Sequence, residues 1–159
     1  MSAKQIIDKL TLIRHPEGGF YKETYRSDHI IVNDKKENRN VSTAIYYLLE
    51  NEDRSLFHRI QSDELWFFHV GEPLEIVSIE REQLTTTTLG NDIAQDEFPQ
   101  MRIPANTWFG ARVKNAKGFS LVSCVVSPGF DFADFELAKR EDLIREFPHL
   151  KDAIEKLTS

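Results

Sequence analysis

Phe57-His58-Arg59-Ile60-Gln61-Ser62-Asp63-Glu64-Leu65-Trp66-Phe67-Phe68-His69-Val70-Gly71 reads as two short strand-like runs around a polar turn, the second ending at a glycine. Strand side chains alternate between two faces. His58 and Ile60 therefore share one face, and Glu64, Trp66, Phe68 and Val70 share another. A hairpin turn at Gln61-Ser62-Asp63 folds these faces onto one side. One imidazole and one carboxylate then stand in an otherwise apolar wall. An unpaired buried charge is costly, so such a pair is hydrogen-bonded, metal-bound or functional.

The same alternation runs outward in both directions. Upstream, Ser2 caps a short helix over residues 2–10, with Ile6, Ile7 and Leu10 on one stripe. His15-Pro16-Glu17-Gly18-Gly19 is a turn, and Phe20 to Arg26 alternates as a half-exposed strand. Residues 33–40 form a polar loop. Val41 to Leu49 is β-rich and nearly all apolar, which fits an interior strand. Downstream, strands are expected over Leu74–Glu80, Gln83–Leu89, Phe98–Ile103, Trp108–Val113 and Phe119–Val126, separated by turn residues. Beyond Pro128-Gly129, Asp134 is placed to cap a helix from Phe135 to about Phe147, stopped by Pro148, with a last helical turn after it. Short strands at regular spacing make an all-β barrel or sandwich with small helices at its ends.

Composition narrows the function classes. At 159 residues the chain is expected to be one domain, spanning 1–159. A net charge of −6 argues against a nucleic-acid partner. No apolar run reaches the ~20 residues of a membrane helix. No signal-peptide pattern opens the chain, and its one cysteine, Cys124, has no internal disulfide partner. The expectation is a cytoplasmic protein with a buried, unreactive thiol.

The opening stretch resembles the first motif of the cupin superfamily, small jelly-roll β-barrels. His58 stands at its first His, Glu64 at its Glu and Gly71 at its closing Gly, whereas Ile60 replaces the second His. Pro104-Ala105-Asn106-Thr107-Trp108-Phe109 resembles the second motif, with Asn106 for Gly and Phe109 for His. His15-Pro16-Glu17-Gly18-Gly19-Phe20-Tyr21, Ser42 to Leu49, Ser62 to Trp66 and Ser127 to Glu136 are similar to single-domain cupins of unassigned function, often labelled predicted sugar epimerases. The resemblance implies a mainly β, cupin-type jelly-roll barrel with short N- and C-terminal helices. It also implies a homodimer sharing an edge strand.

Within that frame three readings of the site stand open. In the first, the chain is a metal-independent sugar epimerase or isomerase: His58 transfers the proton, Glu64 orients it and Tyr47, the choice from the adjacent pair Tyr46/Tyr47, is the acid across the ring. Trp66, Phe109 and Ile60 line the ligand pocket. In the second, the same pocket binds a small ligand without turnover, since Ile60 and Phe109 make it more apolar. In the third, a divalent metal sits on His58 and Glu64. Catalytic metals normally take three protein ligands, so no cofactor is expected. Arg26, Arg59, Arg102 and Arg112 are the cations available to an anionic substrate, and parity turns Arg59 away from His58. Glu17 and the Phe130–Glu136 stretch are placed at one mouth, and Trp108-Phe109 with Phe98 is an alternative dimer surface.

Overall fold

Two six-stranded sheets face one another, and residues of both inner faces make the main core. The computed structural model describes residues 1–159. A helix, α1 (Ala3–Leu10), precedes β1 (Ile13–Arg14), β2 (Phe20–Arg26), β3 (Ile30–Val32), β4 (Asn38–Asn40) and β5 (Thr43–Glu50). Next come β6 (Arg54–Arg59), β7 (Asp63–Gly71), β8 (Leu74–Glu80), β9 (Gln83–Leu89), β10 (Glu97–Phe98) and β11 (Gln100–Ile103). The chain ends with β12 (Trp108–Val113), β13 (Phe119–Ser127), β14 (Glu136–Leu137), α2 (Arg140–Glu146) and α3 (Lys151–Lys156). The first sheet runs β1-β2-β5-β13-β7-β11 and the second β10-β9-β8-β12-β6-β14, a jelly-roll arrangement. β3 and β4 form a separate hairpin. No helix is long and apolar enough to cross a membrane.

Alternation decides what each strand offers to which side. On β5, Tyr47 and Leu49 face the core between the sheets, while Leu48 packs outward with α1 residue Ile6. On β12, Phe109 faces inward and Trp108 outward. Outside the second sheet, Phe57, Val77, Ile79 and Trp108 are covered by Leu143, Ile154 and Leu157 from the C-terminal helices. The helices thus close apolar outer faces that the strand pattern leaves open. Ser2 caps α1 through a capping box with Gln5.

Several local expectations are corrected. The two runs of the opening stretch are not a hairpin: β6 pairs with β12 and β14, whereas β7 pairs with β13 and β11. Ile60 to Ser62 is a corner between the sheets, fastened where the Asn106 N–H donates to the Ile60 carbonyl at 2.7 Å and the Ala105 N–H to Asp63 at 2.9 Å. His58 and Glu64 still reach the same interior, because the sheets stack face to face. A register shift between β7 and β13 at Leu121/Val122 turns Val70 outward, where it is exposed. Residues 33–40 are not all loop, since Asn38–Asn40 pairs with Ile30–Val32. Asp134 caps no long helix. Asp131 caps a single 3-10 turn over Phe132–Asp134, and α2 begins only at Arg140. Asp134 is instead buried and accepts two bonds from Arg39, each 2.7 Å. Trp108 and Phe109 are buried inside the protomer, so neither is a surface for a partner.

Candidate functional site

The jelly roll encloses a cavity of about 590 Å³ that opens past Phe132, which is 52% exposed. Its inner wall is built by alternate residues of β5, β7 and β13 and by the end of β6. These place Tyr47, Trp66, Glu64, Cys124, His58 and Ile60 on the lining. Tyr46 faces the other way and packs outside the sheet. Phe109 does not line the cavity. It is fully buried behind His58, with ring centroids 4.2 Å apart, because β12 lies beside β6 and fills the space under the imidazole. On the open side, Phe135 stacks on His58 at 5.4 Å.

The carboxylate that meets His58 is Glu17, not Glu64. Glu17 Oε2 lies 3.0 Å from His58 Nε2, and Glu17 Oε1 accepts from the Ser55 hydroxyl at 2.9 Å. Backbone chemistry brings this residue in from far away in sequence. The His15-Pro16-Glu17-Gly18-Gly19 turn closes through a Gly18 N–H bond to the His15 carbonyl, and the Leu56 N–H donates to the Glu17 carbonyl at 2.9 Å. Gly18 adopts φ +110°, and a Cβ there would sit 2.0 Å from the Arg54 carbonyl oxygen, so only glycine lets the turn dock on β6. Tyr47 donates its hydroxyl to the Gly18 carbonyl at 2.7 Å and so holds the same turn. Burial raises the Tyr47 pKa well above the ordinary phenol range. Tyr47 is thus a neutral donor already committed to backbone.

Hydrogen-bond directions fix where protons sit. His58 Nδ1 lies 2.7 Å from the Leu56 carbonyl oxygen, which only accepts, so Nδ1 carries a proton. Nε2 faces a carboxylate oxygen, so that contact also needs a proton. The pair shares that one proton. Its net charge is zero, and both imidazole nitrogens are occupied. His15 is the reverse case. Its Nδ1 accepts from the Glu17 backbone N–H at 3.1 Å, which leaves its proton on Nε2. Burial lowers the His15 pKa, with the Glu17 carboxylate opposing and the His58 charge assisting, so His15 is neutral.

Glu64 differs from Glu17 in kind. Burial first, then the charge of Glu17, push its pKa up to about 8, against the weaker pull of the neighbouring Cys124 thiol and Trp66 indole. At neutral pH it is a carboxylic acid, able to donate. Cys124 is also held as a thiol, its pKa raised well above the usual value by burial and by Glu64. The cavity wall therefore carries one carboxyl paired with an imidazole and one carboxylic acid without such a partner, a division set by environment.

A metal ion does not fit this set. His58 has no free lone pair, Glu64 is protonated, and Ile60 and Phe109 present carbon where further ligands are needed. No three His, Cys, Asp or Glu side chains converge as a metal-binding group. Of the four arginines, only Arg26 reaches the lining. It is committed to Glu23, to Asn40 and to the Phe130 carbonyl. Arg59, Arg102 and Arg112 pair with Glu136, Asp63 and Glu75. The sequence places Glu17 at one mouth but not against His58, and it gives His15 no role, because the turn signal accounts for both. The available clue was an acidic residue set between Pro16 and two glycines, where solvent-facing turns have no need of one.

Residues 4–138 match the family described as Cupin superfamily (DUF985). The chain is 31% identical to the uncharacterized protein YML079W of Saccharomyces cerevisiae, covering 94% of this chain and 80% of that one. Among solved structures it superposes on a hypothetical protein from Leishmania major with TM-score 0.95 at 33% identity, covering 99% of each chain. Protein SO0799 from Shewanella oneidensis gives TM-score 0.91 at 42% identity, covering 100% of this chain and 98% of that one. Oxalate decarboxylase from Bacillus subtilis shares the fold alone, with TM-score 0.57 and 12% identity over 91% of this chain and 36% of that one.

Proposed function

This chain belongs to the cupin superfamily, in the group described as DUF985, and on that premise we propose that it binds a small organic molecule in its cavity and moves a proton on it without a metal. The observation that carries the reading is the pairing of Glu17 as carboxylate with Glu64 as carboxylic acid on one cavity wall. A compound with a proton on the carbon next to a carbonyl, keto-sugars among them, uses both. Glu17 takes the carbon-bound proton while Glu64 gives its own to the carbonyl oxygen, leaving a neutral enol. Returning the protons to the same or the adjacent carbon gives exchange or isomerisation. The role of His58 shifts accordingly. With both nitrogens committed, it is a positioning residue that holds Glu17 charged and aimed, and Glu17 is the base.

Proton NMR in deuterium oxide across a panel of keto-sugars and other α-hydroxy carbonyl compounds tests this. Some member should lose its α-proton signal, and Glu17→Gln should slow that loss about 10²–10⁴-fold, the usual worth of a general base. Exchange that survives unchanged in Glu17→Gln sinks the assignment. Saturable binding with no exchange on any member leaves the second reading, a non-catalytic binding cupin, favoured by the fully satisfied nitrogens of His58.

Self-association belongs to the same proposal. β1 covers β2 only at Phe20 and Tyr21, so the edge beyond has no strand partner. Beside it Tyr25, Ile30 and Val32 are 56%, 56% and 63% exposed. An open edge flanked by apolar side chains invites a second copy of the chain. Light scattering should show a dimer that Ile30→Asp with Val32→Asp converts to monomer. A monomeric parent at micromolar concentration contradicts it.

A further inference from the structure

Two donors at the inner end of the cavity are left without a full hydrogen bond, the Trp66 indole and the Glu64 carboxyl. Trp66 is 1% exposed, lines the cavity, and its Nε1–H is buried without a well-formed hydrogen bond, reaching only weakly toward the Glu64 carboxyl. Leaving such a group unpaired is unfavourable, so an acceptor is called for from the ligand side. The Glu64 carboxyl stands beside it and also donates. His15 lines the same cavity and carries its proton on Nε2, since its Nδ1 is taken by the Glu17 N–H.

Charge is absent where these donors meet. Glu17 and His58 cancel, and Glu64, His15 and Cys124 are neutral. The two cations on the lining, Lys22 and Arg26, stand on exposed positions of β2 at the rim, and Lys22 donates to Thr11 at 2.6 Å. An anion carried inward gives up its water and finds no free cation to offset it. Around the passage, His15 is ringed by Tyr21, Phe135 and Phe132, with centroids 4.5, 6.2 and 6.3 Å from its own. Such faces take a ring edge-on or stacked.

We infer that the cavity selects an uncharged, ring-bearing carbonyl compound. Its oxygen accepts from Trp66 Nε1–H and the Glu64 hydroxyl, and its ring lies in the collar of His15, Tyr21, Phe132 and Phe135. This deepens the proposed function by naming its substrate class, and it rests on the same reading of the cavity as the ligand site. The chain has two tryptophans, so two indole N–H signals report binding in a proton–nitrogen correlation spectrum. Trp108, under Arg59 outside the cavity, is the internal control, and Trp66→Phe identifies the other signal.

Benzamide and benzoate share a ring and differ in charge at the carbonyl end. Titrated at pH 7, benzamide should move the Trp66 signal saturably and leave Trp108 still, and benzoate should bind at least about tenfold more weakly. Glu64→Leu should weaken benzamide at least about fivefold, and Glu64→Gln, which keeps a donor, should not. Benzoate binding as tightly as benzamide, absence of a saturable Trp66 shift with benzamide, or equal affinity in Glu64→Leu overturns the inference. Selective benzamide binding without proton exchange on any carbonyl compound would end the catalytic reading and leave this one standing. Exchange confined to anionic carbonyl compounds would do the opposite.

Discussion

Glu17→Ala should lower the stability of the fold by about 3–5 kcal/mol, the range for breaking a buried ion pair by removing one partner. The loss runs through two groups. His58, 3% exposed, keeps its Nδ1–H bond to Leu56 but faces emptiness at Nε2. The Ser55 hydroxyl, fully buried, loses its acceptor. Denaturant unfolding of Glu17→Ala, His58→Ala and the double variant isolates the pair. The double variant should cost clearly less than the sum of the singles, with a coupling of about 2 kcal/mol. The parallel cycle of Glu64→Ala with His58→Ala should give less than half of that. Strong coupling of His58 to Glu64, with weak coupling to Glu17, would restore the pairing expected from the strand pattern and remove Glu17 from the site.

That contrast marks what was legible in the sequence. Alternation is local, and the faces it gives His58, Ile60, Glu64 and Trp66 all lie on the cavity lining, whereas it leaves Tyr46 and Tyr47 open. Strand spacing points to an all-β barrel or sandwich, and only the resemblance to cupins makes it a jelly roll. Alternation does not say which sheet a strand joins, so the corner at Ile60 to Ser62 read as a hairpin although β6 and β7 pair with different neighbours. Nor does it show register shifts, and one such shift exposed Val70. Phe109 was placed on the correct face, yet β12 lies so close under β6 that His58 covers it. Glu17 is expected at one mouth, but no pattern sets it against His58. Its place depends on a glycine turn docking on a strand some forty residues away, and turn residues look alike whether they face solvent or a cavity. Asp134 failed for a related reason. A helix-capping residue type before an apolar run is equally a buried partner for an arginine such as Arg39.

The second large effect is on stability against pH, and it comes from Glu64. An unfolded glutamate has lost its proton above about pH 4.5, whereas the folded protein keeps it to about pH 8. Between those values the folded state binds the extra proton, so raising the pH favours unfolding, by about 1.4 kcal/mol per pH unit. His15 acts in the opposite sense. Its pKa is lowered from 6.5 in the folded state, so the unfolded chain binds more protons below that pH and stability is lost as the pH falls. The two slopes oppose each other below 6.5 and separate above it. From pH 6.5 to 8 Glu64 acts alone of the two, and the raised pKa values of Cys124 and Tyr47 place their titration higher still. Urea unfolding should therefore show the parent losing about 2 kcal/mol more across that window than Glu64→Gln, which has no proton to lose at that position. A flat parent would mean that Glu64 is already ionised at neutral pH. It would then repel Glu17 rather than complement it, and the cavity would hold two bases and no acid. An equal slope in both proteins would place the titrating group elsewhere. The predicted divergence ties the chemistry to the fold, because the burial that makes Glu64 an acid is the same burial that makes the protein less stable in alkali.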